Sequence, residues 1–438
     1  MIEKKKVGVI SLGCDKNRVD TEKMLAILKR KHILVSDIEQ AEVIIVNTCA
    51  FLQSAREEAI SEILYAHSLK EQANAKKIIV TGCLPQKFIS DLFDELLEAD
   101  AFLGVSDYKK INKVIERIYS GERVNAVGKP REECGKSRVL TTNSHAYLKI
   151  ADGCSNHCTY CLIPYIRGKY RSVPLNDLIA EAKGLKKVSE LILVAQDTAK
   201  YGYDLTPSVT LAKLVSELSK LDNIGSIRLL YCYPENITDE LIEQFKVNPK
   251  LIKYIDIPLQ HADDKVLKLM NRKGSGQGYL ELISKLKEQV EDIAVRSTFI
   301  TGFPQESEQA FDNLVEFIKK AELYNAGFFK YSKEDGTAAA RLDGQIAEKI
   351  KDKRLKVLYA TQRQVAKKSN KKQVGKTLSV IAEGFDCEQL VYYGRAYFNA
   401  PDIDGKVYFF SQKEVKIGKY YQVKISKATD YDLYGERL

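Results

Sequence analysis

The sequence lacks any apolar stretch that could span a membrane, because a spanning helix needs about 18 or more apolar residues in a row. The apolar run from Val7 to Leu12 is also shorter than the core of about 7–15 residues that signal peptides carry, and charged residues follow it at once. It is better interpreted as a buried first strand. These absences predict a cytoplasmic protein without membrane attachment.

The composition also lacks the marks of a disordered or disulfide-stapled chain. Hydrophobic residues make up 45% and charged residues 29% of the 438 residues, which is typical of a globular protein with two or three domains. The nine cysteines are an odd number, and a chain of this length does not need disulfides. In a reducing compartment, clustered cysteines indicate metal or redox chemistry. Three have no partner at ligand spacing and are interpreted as incidental: Cys134, Cys232 and Cys387.

A repeat of strand and helix patterns occupies the first part of the chain. Three apolar segments, predicted to be strands, each end in a cysteine, and these cysteines are 35 and 34 residues apart. The segments are residues 7–14, 42–49 and 77–83, with helical patterns at residues 21–31 and 54–70. Strands that alternate with amphipathic helices at this spacing predict a parallel sheet covered on both faces, in a domain of residues 1–135.

This topology has a consequence for the three cysteines, Cys14, Cys49 and Cys83. Parallel strands end at a common edge, where open α/β sheets bind their ligands, so the three thiols are expected to converge. Each also precedes a predicted helix, whose N-terminal dipole favours a thiolate or a negatively charged cluster. Buried core cysteines are the alternative, but they do not explain the repeated position. We therefore predict a shared ligand site.

A second α/β region is predicted at residues 140–370. Six apolar strand candidates alternate there with helical patterns, which favours a partial or complete TIM-like (βα) barrel. The candidates are residues 147–150, 191–194, 227–231, 254–257, 295–300 and 328–331. Residues 372–438 differ, because alternating segments rich in valine and tyrosine are broken by turn signals. They predict a small antiparallel β-barrel.

The strongest local motif is the octapeptide CSNHCTYC, whose cysteines are Cys154, Cys158 and Cys161. Zinc sites usually recruit four ligands in CxxC pairs, and no second pair lies nearby. Three thiolates on one tight loop suit an iron–sulfur cluster with one iron left open. A structural zinc knuckle is the alternative.

CxxxCxxC with an aromatic residue before the last cysteine resembles the signature of the radical S-adenosylmethionine superfamily. The resemblance implies that the open iron of a four-iron cluster binds S-adenosylmethionine, whose reductive cleavage yields a 5′-deoxyadenosyl radical. It also implies that Tyr160 contacts the adenine, and that Gln196 and Asp197 contact cofactor or substrate, the alternatives being packing and a strand-end turn. Arg296, near the end of a predicted strand, could pair with the cofactor carboxylate or form a structural salt bridge.

The cysteines of the first domain, the three-cysteine loop in a barrel and a small terminal barrel together resemble the methylthiotransferases over nearly the whole chain. The resemblance implies that Cys14, Cys49 and Cys83 hold a second four-iron cluster, whose open iron carries the sulfur. S-adenosylmethionine then serves both as methyl donor and as radical source, and a protein such as flavodoxin or ferredoxin supplies electrons. The terminal barrel would be a substrate-binding TRAM domain.

Two segments, SLGCDKNRVDTE at residues 11–22 and DYDLYGE at residues 430–436, resemble the branch of this family that modifies protein. That implies a monomeric enzyme that inserts a methylthio group at the β-carbon of an aspartate in small-subunit ribosomal protein twelve, either free or on the ribosome. The neutral terminal domain agrees, since a tRNA-binding appendage should be basic. A tRNA adenosine methylthiotransferase is the alternative within the family. A non-enzymatic iron–sulfur or zinc protein that binds nucleic acid is the alternative outside it.

Basic residues concentrate between Leu342 and Val374, where ten lysines and arginines stand against three acidic residues. A charge run of this kind is usually a solvated helix face or linker, and the alternative is a contact surface for an anionic partner such as nucleic acid or a ribosome. Arg167, Lys169 and Arg171 follow the cysteine loop. We expect them on a solvated loop or facing an acidic substrate.

Overall fold

The computed structural model describes residues 3–72, 77–131 and 137–438, which form two compact units. The first unit contains residues up to Thr141 with Ala151–His157 and Cys161–Val173, and the second contains Thr142–Ile150, Cys158–Tyr160 and Pro174–Leu438. Cys134 and the start of the predicted boundary at residues 135–140 lie outside the described residues. Among the described residues, none of the helices combines the length and apolar character needed to cross a membrane.

The first unit contains a six-stranded sheet in which every neighbouring pair is parallel, with the strand order β2-β1-β3-β4-β5-β6. This confirms the predicted parallel sheet. Its elements are β1 (Lys6–Ser11), α1 (Asp15–Leu28), β2 (Ile33–Leu34), β3 (Val43–Thr48), α2 (Gln53–Gln72), β4 (Lys77–Gly82), α3 (Cys83–Glu95), β5 (Ala101–Leu103), α4 (Ile111–Tyr119) and β6 (Val124–Ala126).

Alternate residues of the central strands fill two separate cores. Ile44 and Val46 of β3 pack on one face of the sheet, whereas Val43 and Ile45 pack on the other. A strand that is apolar at every position is buried on both faces, as the period of two requires. The first helix begins at Asp15, six residues before the predicted start at Thr21, because its first turns bury polar side chains and show no apolar period.

The chain continues through short elements that divide between the units. Strand β7 (His145–Lys149) belongs to the second unit. Strand β8 (Ala151–Asp152), helix α5 (Ile163–Arg167) and strand β9 (Arg171–Ser172) belong to the first, where β8 and β9 pair antiparallel.

The second unit contains an open six-stranded parallel sheet in the order β14-β13-β12-β11-β10-β7. The predicted series of βα units is therefore confirmed in its partial form, since six strands fall short of the eight that close a TIM barrel. The elements are α6 (Leu175–Gly184), β10 (Val188–Val194), α7 (Leu211–Ser219), β11 (Ile224–Leu229), α8 (Asp239–Val247), β12 (Leu251–Asp256), α9 (Asp264–Leu269), α10 (Gly276–Gln289), β13 (Ala294–Thr301), α11 (Glu308–Ala321), β14 (Asn325–Lys330) and α12 (Glu348–Lys371).

Four helices of this unit begin at a hydroxyl residue whose side chain accepts a hydrogen bond from the backbone N–H three positions later. These N-caps are Thr210, Thr238, Ser275 and Ser307, at the starts of α7, α8, α10 and α11. Each satisfies a backbone N–H that the first helical turn leaves without an intrahelical partner.

The terminal residues form a closed five-stranded barrel in the order β15-β16-β17-β19-β18. Its strands are β15 (Thr377–Asp386), β16 (Val391–Arg395), β17 (Val407–Phe410), β18 (Tyr420–Ala428) and β19 (Leu433–Arg437). The predicted small barrel is confirmed, but it is not wholly antiparallel, because β17 and β19 pair parallel.

A buried ion network joins this barrel to the open sheet within the second unit. Glu190 of β10 accepts hydrogen bonds from Arg228 of β11 at 2.5 Å and from Arg395 of β16 at 3.2 Å. Burial raises the pKa of the Glu190 carboxyl, but the two guanidiniums outweigh burial and lower the pKa to about 2. Glu190 is therefore ionised at neutral pH.

Candidate functional site

Three strand-end cysteines lie along one edge of the sheet in the first unit. Cys14 immediately precedes α1, Cys49 immediately follows β3, and Cys83 is the first residue of α3 directly after β4. Because β1, β3 and β4 are adjacent and parallel, the three residues leave the sheet at the same carboxyl edge. The structure thus places them as the topology predicts.

Two glycines allow the chain to come this close. A Cβ on Gly13 would lie 2.7 Å from the Cβ and 3.2 Å from the Sγ of Cys49, and Gly13 has a φ of +83°. A Cβ on Gly82, whose φ is +97°, would lie 2.4 Å from the Asn47 side-chain oxygen and 2.6 Å from the Thr48 carbonyl oxygen. Both positions need glycine because of the backbone conformation and the close neighbours.

The thiols interact with one another electrostatically; Cys83 is buried, and Cys14 and Cys49 are half-buried. The pKa of Cys83 is raised to about 12, because burial and the charges of Cys14 and Cys49 raise it more than Arg167 lowers it. Burial also raises the pKa of Cys49. A thiolate at such a place needs a nearby positive charge to compensate it. A bound metal supplies such a charge, so buried thiols of this kind suit a set of metal ligands.

Arg167 of α5 supplies such a cation beside Cys83. It is 1% exposed, and one of its terminal nitrogens lies 3.7 Å from the Cys83 sulfur and donates to the Asn17 side-chain oxygen at 2.6 Å. The other terminal nitrogen pairs with Asp152 at 3.0 Å, and both lie 3.3 Å from Asp20. The expectation that Arg167 lies on a solvated loop or faces an acidic substrate is wrong, because its helix packs into the core that contains Cys83.

Asn17 also lies at this site, and the sequence analysis did not identify it. From the first turn of α1, its amide nitrogen donates to the backbone oxygens of Thr48 at 2.9 Å and Leu12 at 3.2 Å, and its oxygen lies 3.8 Å from the Cys83 sulfur. Asn17 therefore ties the ends of β1 and β3 together beside Cys83. Its place three residues after Cys14, in a turn that buries polar side chains, is the signal that could have indicated it.

The three-cysteine loop contributes to both units, and each part is described within its own. In the first unit, the Cys154 backbone N–H donates to the Gly168 carbonyl at 3.1 Å, and Cys161 Sγ accepts from the Ile163 N–H at 3.4 Å. Gly153 has a φ of +76°, and a Cβ there would lie 2.2 Å from the Lys169 carbonyl oxygen. The loop is therefore held against the segment that follows α5.

In the second unit, the segment Cys158–Tyr160 is fixed by its backbone. The Thr159 N–H donates to the Met270 carbonyl at 3.1 Å, and the Thr159 carbonyl accepts from the Ala339 N–H at 2.9 Å. The Tyr160 ring meets the Phe303 ring edge-on at a centroid distance of 6.5 Å. This contact is the packing alternative for Tyr160, and its adenine contact stays a prediction.

The donor chemistry of both sets fits an iron–sulfur cluster. Each set consists of three thiols, and within the described residues no three His, Cys, Asp or Glu side chains are arranged to hold a single metal ion. Thiolates are the protein ligands of four-iron clusters, and a set of three leaves one iron of such a cluster open.

The other predicted cofactor residues have structural contacts. Asp197 is buried after β10 and accepts from the Asn236 side chain at 2.8 Å, the contact of a strand-end turn; the half-buried Gln196 precedes it. Arg296 is the third residue of β13, near its start rather than its end, and pairs with Asp256 at 2.8 Å and Asp404 at 3.2 Å. The expected position of Arg296 is thus corrected. Cofactor roles for these residues stay predictions.

Family models match three segments of the chain. Residues 6–104 match the "Uncharacterized protein family UPF0004", residues 148–318 match the radical SAM superfamily, and residues 374–438 match the TRAM domain. Among solved structures, the radical S-adenosylmethionine methyltransferase TsrM from Kitasatospora setae has a TM-score of 0.56 at 11% identity, over 86% of this chain and 80% of its own. At that identity the likeness concerns the fold alone.

Relatives of similar length resemble the whole chain. Proteins named "Ribosomal protein uS12 methylthiotransferase RimO" are 46% identical in Thermoanaerobacter sp. (strain X514), over 99% of this chain and 100% of theirs, and 46% identical in Acetivibrio thermocellus, over 99% and 98%. The protein of the same name in Clostridium tetani is 45% identical over 98% of this chain and 97% of its own.

Proposed function

The chain belongs to the RimO family of ribosomal protein uS12 methylthiotransferases, and we propose from this that it inserts a methylthio group at the β-carbon of an aspartate of uS12. It is a radical S-adenosylmethionine enzyme of the methylthiotransferase class. The observation that carries the proposal is the second set of cysteines at the strand ends, because a radical generator alone would need only the three-cysteine loop.

The two cysteine sets have separate roles in this proposal. Cys154, Cys158 and Cys161 hold the four-iron cluster that binds S-adenosylmethionine, and a second four-iron cluster is held by Cys14, Cys49 and Cys83. When bound, the first supplies the electron that cleaves the sulfonium to make the radical, and the second supplies the sulfur that is methylated and transferred. Flavodoxin or ferredoxin is the proposed source of electrons.

Side chains around the strand-end cysteines place a positive charge beside the thiols and fix the ends of the strands. Arg167 provides a buried positive charge beside Cys83, and Asn17 fixes the ends of two strands next to it. Asp20 and Asp152 hold the guanidinium in place through charge-assisted hydrogen bonds. Arg167 thereby lowers the cost of a thiolate at Cys83, whose pKa burial raises.

The proposed place of action is the cytoplasm, where the named substrate of the relatives, a ribosomal protein, is assembled. The neutral terminal barrel supports a protein substrate, since its nine basic and nine acidic residues after residue 374 give no net attraction for RNA. Substrate positioning is the role proposed for this barrel.

The proposal is tested with anaerobically reconstituted enzyme, a reductant, S-adenosylmethionine and either purified uS12 or unmodified tRNA. We expect mass spectrometry to find one methylthio group in place of one hydrogen on an aspartate of uS12, and none on tRNA adenosine. Modified tRNA with unmodified uS12 would instead identify the tRNA branch. Zinc in place of iron, with neither product, would contradict the enzyme assignment as a whole.

A further inference from the structure

Helix α12 carries a straight line of positive charge along its outer face. Six cations follow one another at spacings of three, four or seven residues, which keeps them on one side of a helix. They are Lys349, Lys353, Lys356, Arg363, Lys367 and Lys371. At 1.5 Å per residue, this basic stripe extends for about 33 Å.

All six side chains are exposed to solvent. Arg363 and Lys367 share one acidic neighbour, Asp430, at 3.8 Å and 3.4 Å. For the four other lysines of the stripe, the described residues contain no salt-bridge partner within 4.0 Å. These lysines therefore face solvent, and a polyanion could displace the counterions around them.

The opposite face of α12 fixes the helix within the second unit. Arg354 donates to the buried Glu306 carboxylate at 3.0 Å, and the Lys351 amine donates to the Tyr331 carbonyl at 2.9 Å. Farther along, the Gln362 amide donates to the Leu323 carbonyl at 3.1 Å. Lys351 and Arg354 thus anchor the helix, whereas Lys349, Lys353, Lys356 and Lys371 of the stripe have no ion pair among the described residues that would explain their position.

We propose that the basic stripe of α12 docks on the phosphate backbone of small-subunit ribosomal RNA, so that the enzyme meets its substrate on assembled or assembling subunits. This inference rests on the proposed function for the identity of the RNA. A rigid row of six exposed cations that share a single acidic partner within the described part of the chain has the charge and the length to contact several successive phosphates, and it needs no sequence-specific readout.

An RNA partner suits this surface better than the protein substrate does. A protein that is itself bound to RNA is expected to carry positive charge, so a row of cations would repel it rather than attract it. The neutral terminal barrel and the basic stripe therefore bind different partners. The barrel contacts protein, and the stripe contacts the surrounding RNA.

The test uses a triple charge reversal, Lys349→Glu, Lys353→Glu and Lys356→Glu, in the full-length protein. Glutamate has a helix propensity close to that of lysine, and negative charge is favourable near a helix N-terminus, so the variant should fold. The matched control has the same charge change at exposed lysines elsewhere in the second unit: Lys183→Glu, Lys186→Glu and Lys187→Glu.

Three probes are measured with each protein: small ribosomal subunits, deproteinised small-subunit RNA, and purified uS12. Binding of subunits and RNA is followed over a range of salt concentrations, and methylthiolation of free uS12 is followed by mass spectrometry. The stripe variant should bind subunits and RNA at least about tenfold more weakly, with a salt slope smaller by about 2 to 3. The control should change by less than about twofold, and both should modify free uS12 as the wild type does.

Equal binding of subunits by the stripe variant and the control would overturn the inference. The inference would also be overturned if the wild type bound subunits but not the deproteinised RNA, because the stripe would then contact a protein surface of the subunit. The inference would also be overturned if the stripe variant lost activity on free uS12 to the same extent as it lost binding to subunits. The stripe would then contact the protein substrate. Failure of the wild type to modify uS12 would instead contradict the proposed function, whereas RNA binding would be unaffected.

Discussion

The guanidinium of Arg167 lies 3.7 Å from the sulfur of Cys83, although the two residues are 84 positions apart in the chain. The backbone next to Arg167 also accepts a hydrogen bond from Cys154, through the Gly168 carbonyl at 3.1 Å. Within the first unit, one short segment therefore contacts a residue of each cysteine set. Arg167 is a positioning residue for the strand-end site rather than a ligand.

Replacement of Arg167 by lysine should separate its charge from its geometry. Lysine keeps the positive charge but cannot direct a planar fork at Asn17, Asp152 and Asp20 together. Since loss of an outer partner of a metal ligand typically costs about 10- to 100-fold in affinity or activity, we expect methylthiolation to fall by that factor. Iron retained by the strand-end cysteines, measured in a background with the loop cysteines replaced by alanine, should fall as well.

The matched control for Arg167→Lys is Arg228→Lys, which alters another fully buried, ion-paired arginine, in the second unit. Both variants lose a buried, ion-paired guanidinium, so the free energy of unfolding should fall in both. Only Arg167→Lys should release iron from the strand-end site. If the two variants retain iron equally, the contact with Cys83 has no role in holding the cluster.

Alanine at all three loop cysteines should remove one cluster and leave the other. Two four-iron clusters correspond to about eight irons per chain, so the variant should retain about four. Deoxyadenosine formation should disappear, because it depends on the open iron of the loop cluster. The residues replaced are Cys154, Cys158 and Cys161, and persistence of deoxyadenosine would contradict the role assigned to them.

The reciprocal variant replaces Cys14, Cys49 and Cys83 by alanine. It should also retain about four irons and should still form deoxyadenosine, but it should yield no methylthiolated uS12. Comparison of the two variants by iron analysis and product chromatography distinguishes radical formation from sulfur transfer. Loss of all iron in the reciprocal variant would mean that the first unit no longer folds, which circular dichroism would detect.

The sequence predicted the sheet and the strand-end cysteines because both depend on local patterns. Consecutive apolar residues at positions 43–46 of β3 and 78–80 of β4 indicate strands buried on both faces, and a cysteine follows the end of each strand. The buried contact between Arg167 and Asn17 was not predicted, because the two residues lie 150 positions apart in the sequence. From the sequence alone, a buried arginine cannot be distinguished from a solvated one, because its partners lie far away in the chain.

Gly82→Ala tests how closely the strand-end site is packed. The φ of +97° makes alanine strained, and its Cβ would lie 2.4 Å from the Asn47 oxygen. We expect a loss of about 1–3 kcal/mol in stability, together with less iron at the adjacent Cys83. Thermal unfolding and iron analysis measure the two effects.

Gly121→Ala is the control for backbone strain alone. Gly121 has a φ of +92°, but a Cβ there would have no atom within 4 Å. It should lose stability through strain without losing iron. If both variants retain all their iron, the close packing around Gly82 is not required for the strand-end cysteines to hold iron.

The Glu190 network should make the second unit sensitive to acid. The pKa of this carboxyl is lowered from its ordinary 4.5 to about 2 in the folded chain, so folding favours the ionised form. Its contribution to stability is complete above about pH 4.5 and is lost as the pH falls towards 2. Glu190→Gln leaves Arg228 and Arg395 without their shared carboxylate. We therefore expect a loss of about 3–5 kcal/mol at pH 7 and a flatter dependence on pH between 4.5 and 2.

Urea unfolding at pH 7, 4 and 3 measures this, with Glu217→Gln as control. The pKa of Glu217 is lowered by hydrogen bonds from Lys213 and Lys220, but its carboxyl is exposed on α7, so its ion pairs are screened by solvent. The control should follow the wild type at every pH. A Glu190→Gln protein as stable as the wild type at pH 7 would show that the two arginines find other partners. In that case the network would not be what holds the terminal barrel to the open sheet.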